Sequence, residues 1–434
     1  MSIKALKTIS LLWISSLFGA GCAFLIQVIL ARYLNPIDFG DFAAALATVT
    51  LFVPLAGFGI AQFWLKAFGE EGWYATRWFP ASISFIISSS LAVFSLLILW
   101  AFVGPHDKVM QIIILSLSVY VFGQVSIELV GSKLQLEERY ISLALWQILP
   151  HLIRLSLLIS IISLFKKSLD VVQVAQVYAV VAIAVLIVGA ILLYKMLTGD
   201  FDLKGHEVKN TSVVPSIPDI RMVISQIWPF GLAGLFHLIY FQSDIVLLKY
   251  LSGSEAAANY NIAFTIMVAI YILPTVIYQK FLLPKMHRWA HHDRTKFHNT
   301  YKRGNMMMLV IGSLGMVVIW LSSSVLISFI FGDKYPFSSS LLDILAFSIP
   351  VIFVASSVGA TLVTKEHMKK KVTYMGIIAV LNIVLNIILI PIYGANGAAI
   401  ATVVSNIGLL IFFYYAAEHI VFHSEQLNRG KINE

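Results

Sequence analysis

The sequence predicts an all-α polytopic membrane protein of twelve transmembrane helices in two six-helix bundles. Three observations carry that expectation. Apolar residues make up 59% of the 434-residue chain and charged residues only 12%, a balance that a soluble domain cannot bury. Uncharged runs long enough to cross about 30 Å of hydrocarbon recur from end to end. They do not alternate in polarity, which argues against a closed β-barrel. The third observation is an internal repeat. Residues 27–42 (Q-V-I-L-A-R-Y-L-N-P-I-D-F-G-D-F) return 217 positions later as 244–260 (D-I-V-L-L-K-Y-L-S-G-S-E-A-A-A-N-Y). At that offset Gln27 falls on Asp244, Arg32 on Lys249, and Asp38 on Glu255; one inserted residue then aligns Phe42 with Tyr260. In each copy an apolar run ends in a cation, a short polar turn follows, and a second apolar run begins. The chain therefore divides into two halves of the same orientation.

The first predicted span, 9–31, follows Lys4 and Lys7. Its apolar run is too long for a cleaved signal and has no A-x-A exit, so it is expected to be retained. The next spans are 42–62 with Pro54, 79–103 with a series of serines, 109–130 with Glu128, 141–165 with His151 and Arg154, and 171–194. Residues 198–221 hold Gly199, Gly205, Pro215 and Pro218 without helical periodicity and read as a cytoplasmic linker. Four spans follow at 222–248, 257–283, 305–331 and 341–364. A final pair lies in 372–417, divided by P-I-Y-G-A-N-G at 391–397 because Pro and Gly end helices. The expected organisation is a bundle at 1–197, the linker, a bundle at 222–417 and a cytoplasmic tail at 418–434.

Charge sets the orientation. With the N-terminus in the cytoplasm, 23 of the 30 lysines and arginines fall inside, six fall outside, and Arg154 is left within a span. The positive-inside rule selects that arrangement, with both termini cytoplasmic. The net charge of +8 is thereby explained by membrane orientation, and no nucleic-acid partner is expected. Cys22 is the single cysteine; it cannot form an intramolecular disulfide and reads as a buried thiol.

No Walker loop, G-x-S-x-G, H-E-x-x-H or dinucleotide fingerprint is present, so no catalytic residue or cofactor is assigned. The informative groups are ionisable residues at membrane depth, which are costly there and usually face a cavity or a partner. Arg154 stands midway along the fifth span, one turn past Pro150 and His151, where it can hold a phosphate or pair with Glu128. Asp244 lies in the outer third of the seventh span with His237 two turns deeper; it can take up a proton or a cation, or pair with Lys249. Arg32, Lys66, Lys249 and Lys280 flank spans one, two, seven and eight. Each can be a snorkelling anchor, and together they suit an anionic ligand held between the halves. The loop 285–303 contains four histidines, with His287 and His291 at i,i+4 spacing. That spacing can bind a metal on a helix, although a basic interfacial helix touching anionic headgroups is the ordinary reading. Asn382 and Asn386 share a helix face and are expected to bond to a neighbouring helix.

Two stretches carry a resemblance. A-R-Y-L-N-P-I-D-F-G-D-F-A-A-A-L-A at 31–47 resembles the first-loop signature of bacterial polysaccharide transporters, the lipid-linked O-antigen flippases. L-N-I-V-L-N-I-I-L-I-P-I-Y-G-A-N-G-A-A-I-A-T at 381–402 resembles the same family's stretch before its last helix, and Asp244 also fits. Asn35 departs from the family's usual glycine, and A-A-A-N-Y at 256–260 lacks the glycine of the second-half motif. The resemblance implies MATE-like bundles around a central cavity that opens alternately to either side of a bacterial cytoplasmic (inner) membrane. It implies an undecaprenyl-diphosphate-linked oligosaccharide as cargo, such as an O-antigen repeat unit of lipopolysaccharide. Polysaccharide polymerase and glycosyltransferases would be its partners alongside membrane lipids. Arg154, Arg32, Lys66, Lys249 and Lys280 would meet the diphosphate. Asp244, Glu128 and His237 are candidates for coupling to a proton or sodium gradient. A multidrug or cation antiporter of the same superfamily, a membrane-embedded polymerase or acyltransferase, and a non-transporting scaffold for glycosyltransferases remain as alternatives.

Overall fold

A computed structural model describes residues 3–165, 169–206, 217–275, 277–278, 282, 286, 294–362 and 368–419. Long helices dominate, and they keep large apolar side chains on their outer faces. Leu321 (83% exposed), Phe329 (78%) and Leu164 (76%) stand open on helices with no protein to cover them. Apolar surface of that extent needs hydrocarbon around it. Among the described residues ten helices are long and apolar enough to cross a membrane, or eleven with one bent pair counted as a span. The chain is a multi-pass membrane protein.

The first compact unit comprises Met1–Leu34 and Asp41–Leu238. Its helices are α1 (Ile3–Tyr33), α2 (Pro36–Gly57), α3 (Ile60–Glu71), α4 (Phe79–Val103), α5 (Lys108–Ser118), α6 (Tyr120–Leu136), α7 (Tyr140–Phe165) and α8 (Val171–Leu197), followed by the first half of α9 (Ile220–Ser252). The stretch from Pro36 to Val103 counts as one apolar stretch of 68 residues. At 1.5 Å per residue that is roughly 100 Å, about three times the hydrocarbon thickness. The chain breaks it at Phe58 (φ 40°) and Gly59 (φ 78°). A side chain at Gly59 would collide with Phe230 of α9, so only glycine serves both the left-handed turn and the close approach. The predicted span 42–62 therefore ends early, and α3 is a separate amphipathic helix with Ile60, Phe63, Trp64, Ala67 and Phe68 buried.

Within this unit α1 packs on α7, α8 lies against α5 and α6, and α3 lies on α6. Val130, Leu134, Leu143, Trp146, Val181 and Val185 form one core between α6, α7 and α8. Cys22 is buried in α1. The start of the predicted linker is docked rather than loose: Phe201 and Leu203 are buried, and the Phe201 ring meets Phe68, Trp73 and Phe79. Residues 207–216 of that linker lie outside the described residues.

The second unit comprises Asn35–Gly40 and Ile239–Glu434. It holds the end of α9, then α10 (Ser254–Thr275), α11 (Arg294–Phe331), α12 (Ser338–Ala346), α13 (Ser348–Thr361), α14 (Met368–Tyr393) and α15 (Ala395–Ala416). The predicted span 341–364 is two helices, α12 and α13, bent by 42°. The break predicted inside 391–397 falls at Gly394, whose φ of 59° turns α14 back into α15. In both repeat copies a long helix ends in a turn of one or two residues before the next begins, at Leu34–Asn35 and at Gly253. Asn35 caps its copy: its Oδ1 accepts from Asp38 N–H at 2.8 Å, and its Nδ2 donates to Asp38 Oδ2.

Candidate functional site

In the second unit the conspicuous buried charge is Asp244, 1% exposed on α9. Three neutral donors from three other helices converge on it. Tyr260 of α10 donates to Oδ2 at 2.6 Å, Thr402 of α15 donates to Oδ2 at 2.5 Å, and Asn386 of α14 donates to Oδ1 at 2.6 Å. No cation pairs with it among the described residues. Asn382, one turn from Asn386, accepts from Ser243 at 2.9 Å. Further along α15, Tyr240 donates to Asn406, whose amide donates to Ser348 at 3.0 Å. A belt of buried hydroxyls and amides thus runs through this unit.

The hydrogens around Asp244 do not fill the contacts. Oδ2, the Tyr260 hydroxyl and the Thr402 hydroxyl form a triangle with edges of 2.6, 2.5 and 2.7 Å. Each hydroxyl brings one proton, so an ionised Asp244 leaves one edge as a bare oxygen–oxygen contact. A third proton on the carboxylate closes the ring, and so does a small cation seated on the three oxygens. Asn386, which turns its Nδ2 to the carboxylate, leaves its own Oδ1 buried without a hydrogen-bond partner. The arrangement is suited to taking up and releasing one positive charge.

The first unit holds the opposite charge. Arg154 of α7 is 3% exposed, and its guanidinium carbon lies 5.1 Å from the Tyr120 ring centre and 4.7 Å from that of Tyr178. Two ring faces on a desolvated guanidinium offset part of its burial, at about 2 kcal/mol each. They do so without neutralising it. The expected alternative partner, Glu128, does not take this role: among the described residues Arg154 forms no ion pair, and its Nε has no hydrogen-bond partner. Glu128 is exposed on α6, and its Oε2 lies 3.6 Å from where a side chain at Gly57 of α2 would begin.

His237 is exposed on α9, and Asp244, two turns on, is buried. Arg32 and Lys66 are exposed, and Lys66 lies on α3 rather than at the end of a span. Lys249 does not take Asp244 as its partner; it donates to Ser254 at 2.6 Å. Lys280, His287 and His291 lie outside the described residues. Tyr260, Thr402, Tyr120 and Tyr178 escaped sequence reading. Hydroxyls scattered in apolar helices have no periodic signature, although Tyr260 lay inside the repeat and Thr402 at the end of a quoted motif.

Comparison with known proteins places this geometry. The family model described as "Polysaccharide biosynthesis protein" matches residues 5–290, and the MatE model matches 229–388. A membrane protein of Methanocaldococcus jannaschii, itself uncharacterized, is 23% identical over 97% of this chain and 85% of its own length. Among solved structures, the fold is similar to the lipid II flippase MurJ in an inward closed conformation. That match has a TM-score of 0.73 and 15% identity over 94% of this chain and 87% of that one. An outward-facing multidrug resistance MATE family transporter of the MOP superfamily matches at 0.59 and 14% identity, over 96% and 95%. At these identities the structures speak for the fold alone. The family match spans more than half of the sequence, and the chain belongs to the polysaccharide biosynthesis protein family.

Proposed function

We propose that the protein is a flippase for a lipid-linked oligosaccharide, an undecaprenyl-diphosphate-linked repeat unit of O-antigen or another surface polysaccharide. On this reading it works by alternating access in a bacterial cytoplasmic membrane, with twelve crossings and both termini in the cytoplasm. The sugars cross through the protein and the polyprenyl tail stays in the bilayer. The observation that carries the reading is Arg154, a buried cation set against two tyrosine rings inside a chain of a polysaccharide family. A guanidinium presents paired N–H groups that match a phosphate. In this conformation Arg154 is buried, so cargo reaches it after rearrangement of the bundle. Asp244 is the ion-coupling residue, taking a proton or sodium ion into its oxygen triangle. Glu128, exposed at membrane depth where a carboxylate must find water, is the second titrating candidate.

A drug or cation antiporter is the second reading, favoured by the MatE match over 229–388, which contains Asp244. It gives no role to a buried cation. Relatives with a stated activity are a flippase and transporters, which supports a carrier over a polymerase or acyltransferase. Deleting the gene should leave lipid-linked units on the cytoplasmic leaflet and remove the surface polymer. If single units still reach the surface and only chain length is lost, the polymerase reading replaces this one.

A further inference from the structure

In the second unit, a cavity of about 610 Å³ lined by neither Asp244 nor its partners opens beside the first turns of α11. α11 has 38 residues, and at 1.5 Å per residue such a helix is roughly 57 Å long, nearly twice the hydrocarbon thickness. Its first twelve residues, R-T-K-F-H-N-T-Y-K-R-G-N, are mostly polar, and the apolar run begins at Met306. The excess length therefore projects from the bilayer at this end, and the cavity straddles the boundary.

The lining changes character across that boundary. Lys296, Asn299 and Arg303 fall on one stripe of the helix at i, i+3 and i+7, and Met307 continues the stripe one turn further on. Leu282 and Tyr278 complete the apolar end. The opposite stripe, Phe297, Tyr301 and Met308, is buried and holds the helix on its unit, while Tyr301 donates to Glu418 at 3.0 Å. Arg303 has no acidic partner among the described residues. Tyr278 is 1% exposed in the cavity wall, with its hydroxyl and that of Ser357 both beside Gly304. A side chain at Gly304 would collide with the Tyr278 hydroxyl, so the glycine lets the ring lie flush in the wall.

Two cations and an amide at a helix end that leaves the membrane, continuing into an apolar wall at its edge, match one chemistry. We propose that this cavity binds the phosphate-bearing headgroup of a membrane lipid, with Lys296 and Arg303 on the phosphate, Asn299 beside it, and the first part of a hydrocarbon chain along Met307 and Leu282. The site belongs to neither buried charge and does not depend on what the protein transports. Its phosphate can come from an anionic phospholipid or from a polyprenyl diphosphate.

Full-length protein in a neutral detergent, titrated with short-chain phosphatidylglycerol, short-chain phosphatidylcholine, farnesyl diphosphate and inorganic pyrophosphate, tests the site by native mass spectrometry. Wild type should bind phosphatidylglycerol or farnesyl diphosphate at least tenfold more tightly than phosphatidylcholine, and the tighter of the two names the source. The double variant Lys296→Gln/Arg303→Gln should lose that preference while melting at the wild-type temperature, since both side chains are exposed. Lys302→Gln/Lys370→Gln, which removes two exposed cations that do not line the cavity, should keep it. Equal loss in both double variants, or retention in the first, would overturn the assignment. Pyrophosphate binding as tightly as the lipids would overturn the apolar half of it.

Discussion

The two halves of the repeat bury opposite charges by opposite means. In the second half, Asp244 accepts hydrogen bonds from Tyr260, Thr402 and Asn386. In the first half the aligned residues are Gln27 and Phe42, so the carboxylate and its tyrosine are both absent. Phe42 instead packs edge-on against Tyr178 at 5.2 Å, and Tyr178 covers the Arg154 guanidinium. One position of the repeat thus supports an anion through a hydroxyl in one bundle and a cation through an aromatic stack in the other. Neither charge has an ion-pair partner among the described residues. An unpaired charge at membrane depth is costly, and two of opposite sign in separate bundles suit a carrier that handles an anionic cargo and a cationic coupling ion.

Breaking the anion site should have the largest effect on stability. Asp244→Ala takes the charged acceptor from three buried donors and leaves Tyr260 with Thr402, Thr402 with Ala398 O and Asn386 with Asn382 O. At about 1.5–3 kcal/mol for a hydrogen bond to a charged group the fluorescence-monitored melting temperature should fall. Asp244→Asn keeps the shape and should fold, yet lose gradient-driven transport by at least about tenfold, since one decade is roughly 1.4 kcal/mol. If Asp244→Asn still responds to the gradient, the coupling role goes to another residue.

Arg154→Ala comes next. It should insert, because removing an uncompensated cation lowers the cost of burial, and it should fail in transport; Arg154→Lys should retain partial activity because charge survives without the planar fork. The double variant Arg154→Ala/Glu128→Ala should transport no better than Arg154→Ala, as the two side chains do not pair. Recovery in that double variant, scored in the same assay, would show the pair to be real.

Smaller effects separate the clamp from the charge. Tyr178→Leu should destabilise the first bundle by about 2 kcal/mol through loss of one ring face, and Tyr120→Leu by a similar or smaller amount. Paired with Arg154→Met, either substitution should lose most of its cost, which a thermal double-mutant cycle reads directly. The smallest change is expected for Glu128→Gln, within about 0.5 kcal/mol in stability because the side chain is exposed. A large drop in its melting temperature would mean that Glu128 is buried in a partner shell of its own.

Much of this architecture is legible in the sequence because the bilayer imposes it. The span 79–103 was predicted with the same bounds as α4, since uncharged runs end where water begins. The turn between α14 and α15 was legible for the same reason that Gly394 is needed there. The break at Phe58–Gly59 was not: its cause is the approach of Phe230, a contact more than 170 residues away in sequence that no local pattern records. The candidate site was half visible. Charges at membrane depth stand out, so Asp244 and Arg154 were found. Their partners are tyrosines, a threonine and asparagines, residue types that apolar helices also use for ordinary packing. Substitutions between the repeat copies, Gln27 for Asp244 and Phe42 for Tyr260, were the available signal for one of them.

The most direct measurement uses proteoliposomes carrying a fluorescent polyprenyl-diphosphate oligosaccharide in the outer leaflet and a proton or sodium gradient across the membrane. A membrane-impermeant quencher then reports how much label has crossed. Wild-type protein should protect label progressively and faster with one of the gradients, Asp244→Asn should lose the gradient response, and Arg154→Ala should match empty liposomes. Wild-type traces indistinguishable from those of empty liposomes, or of Arg154→Ala, would contradict the assignment of this chain as a flippase that acts through its buried cation.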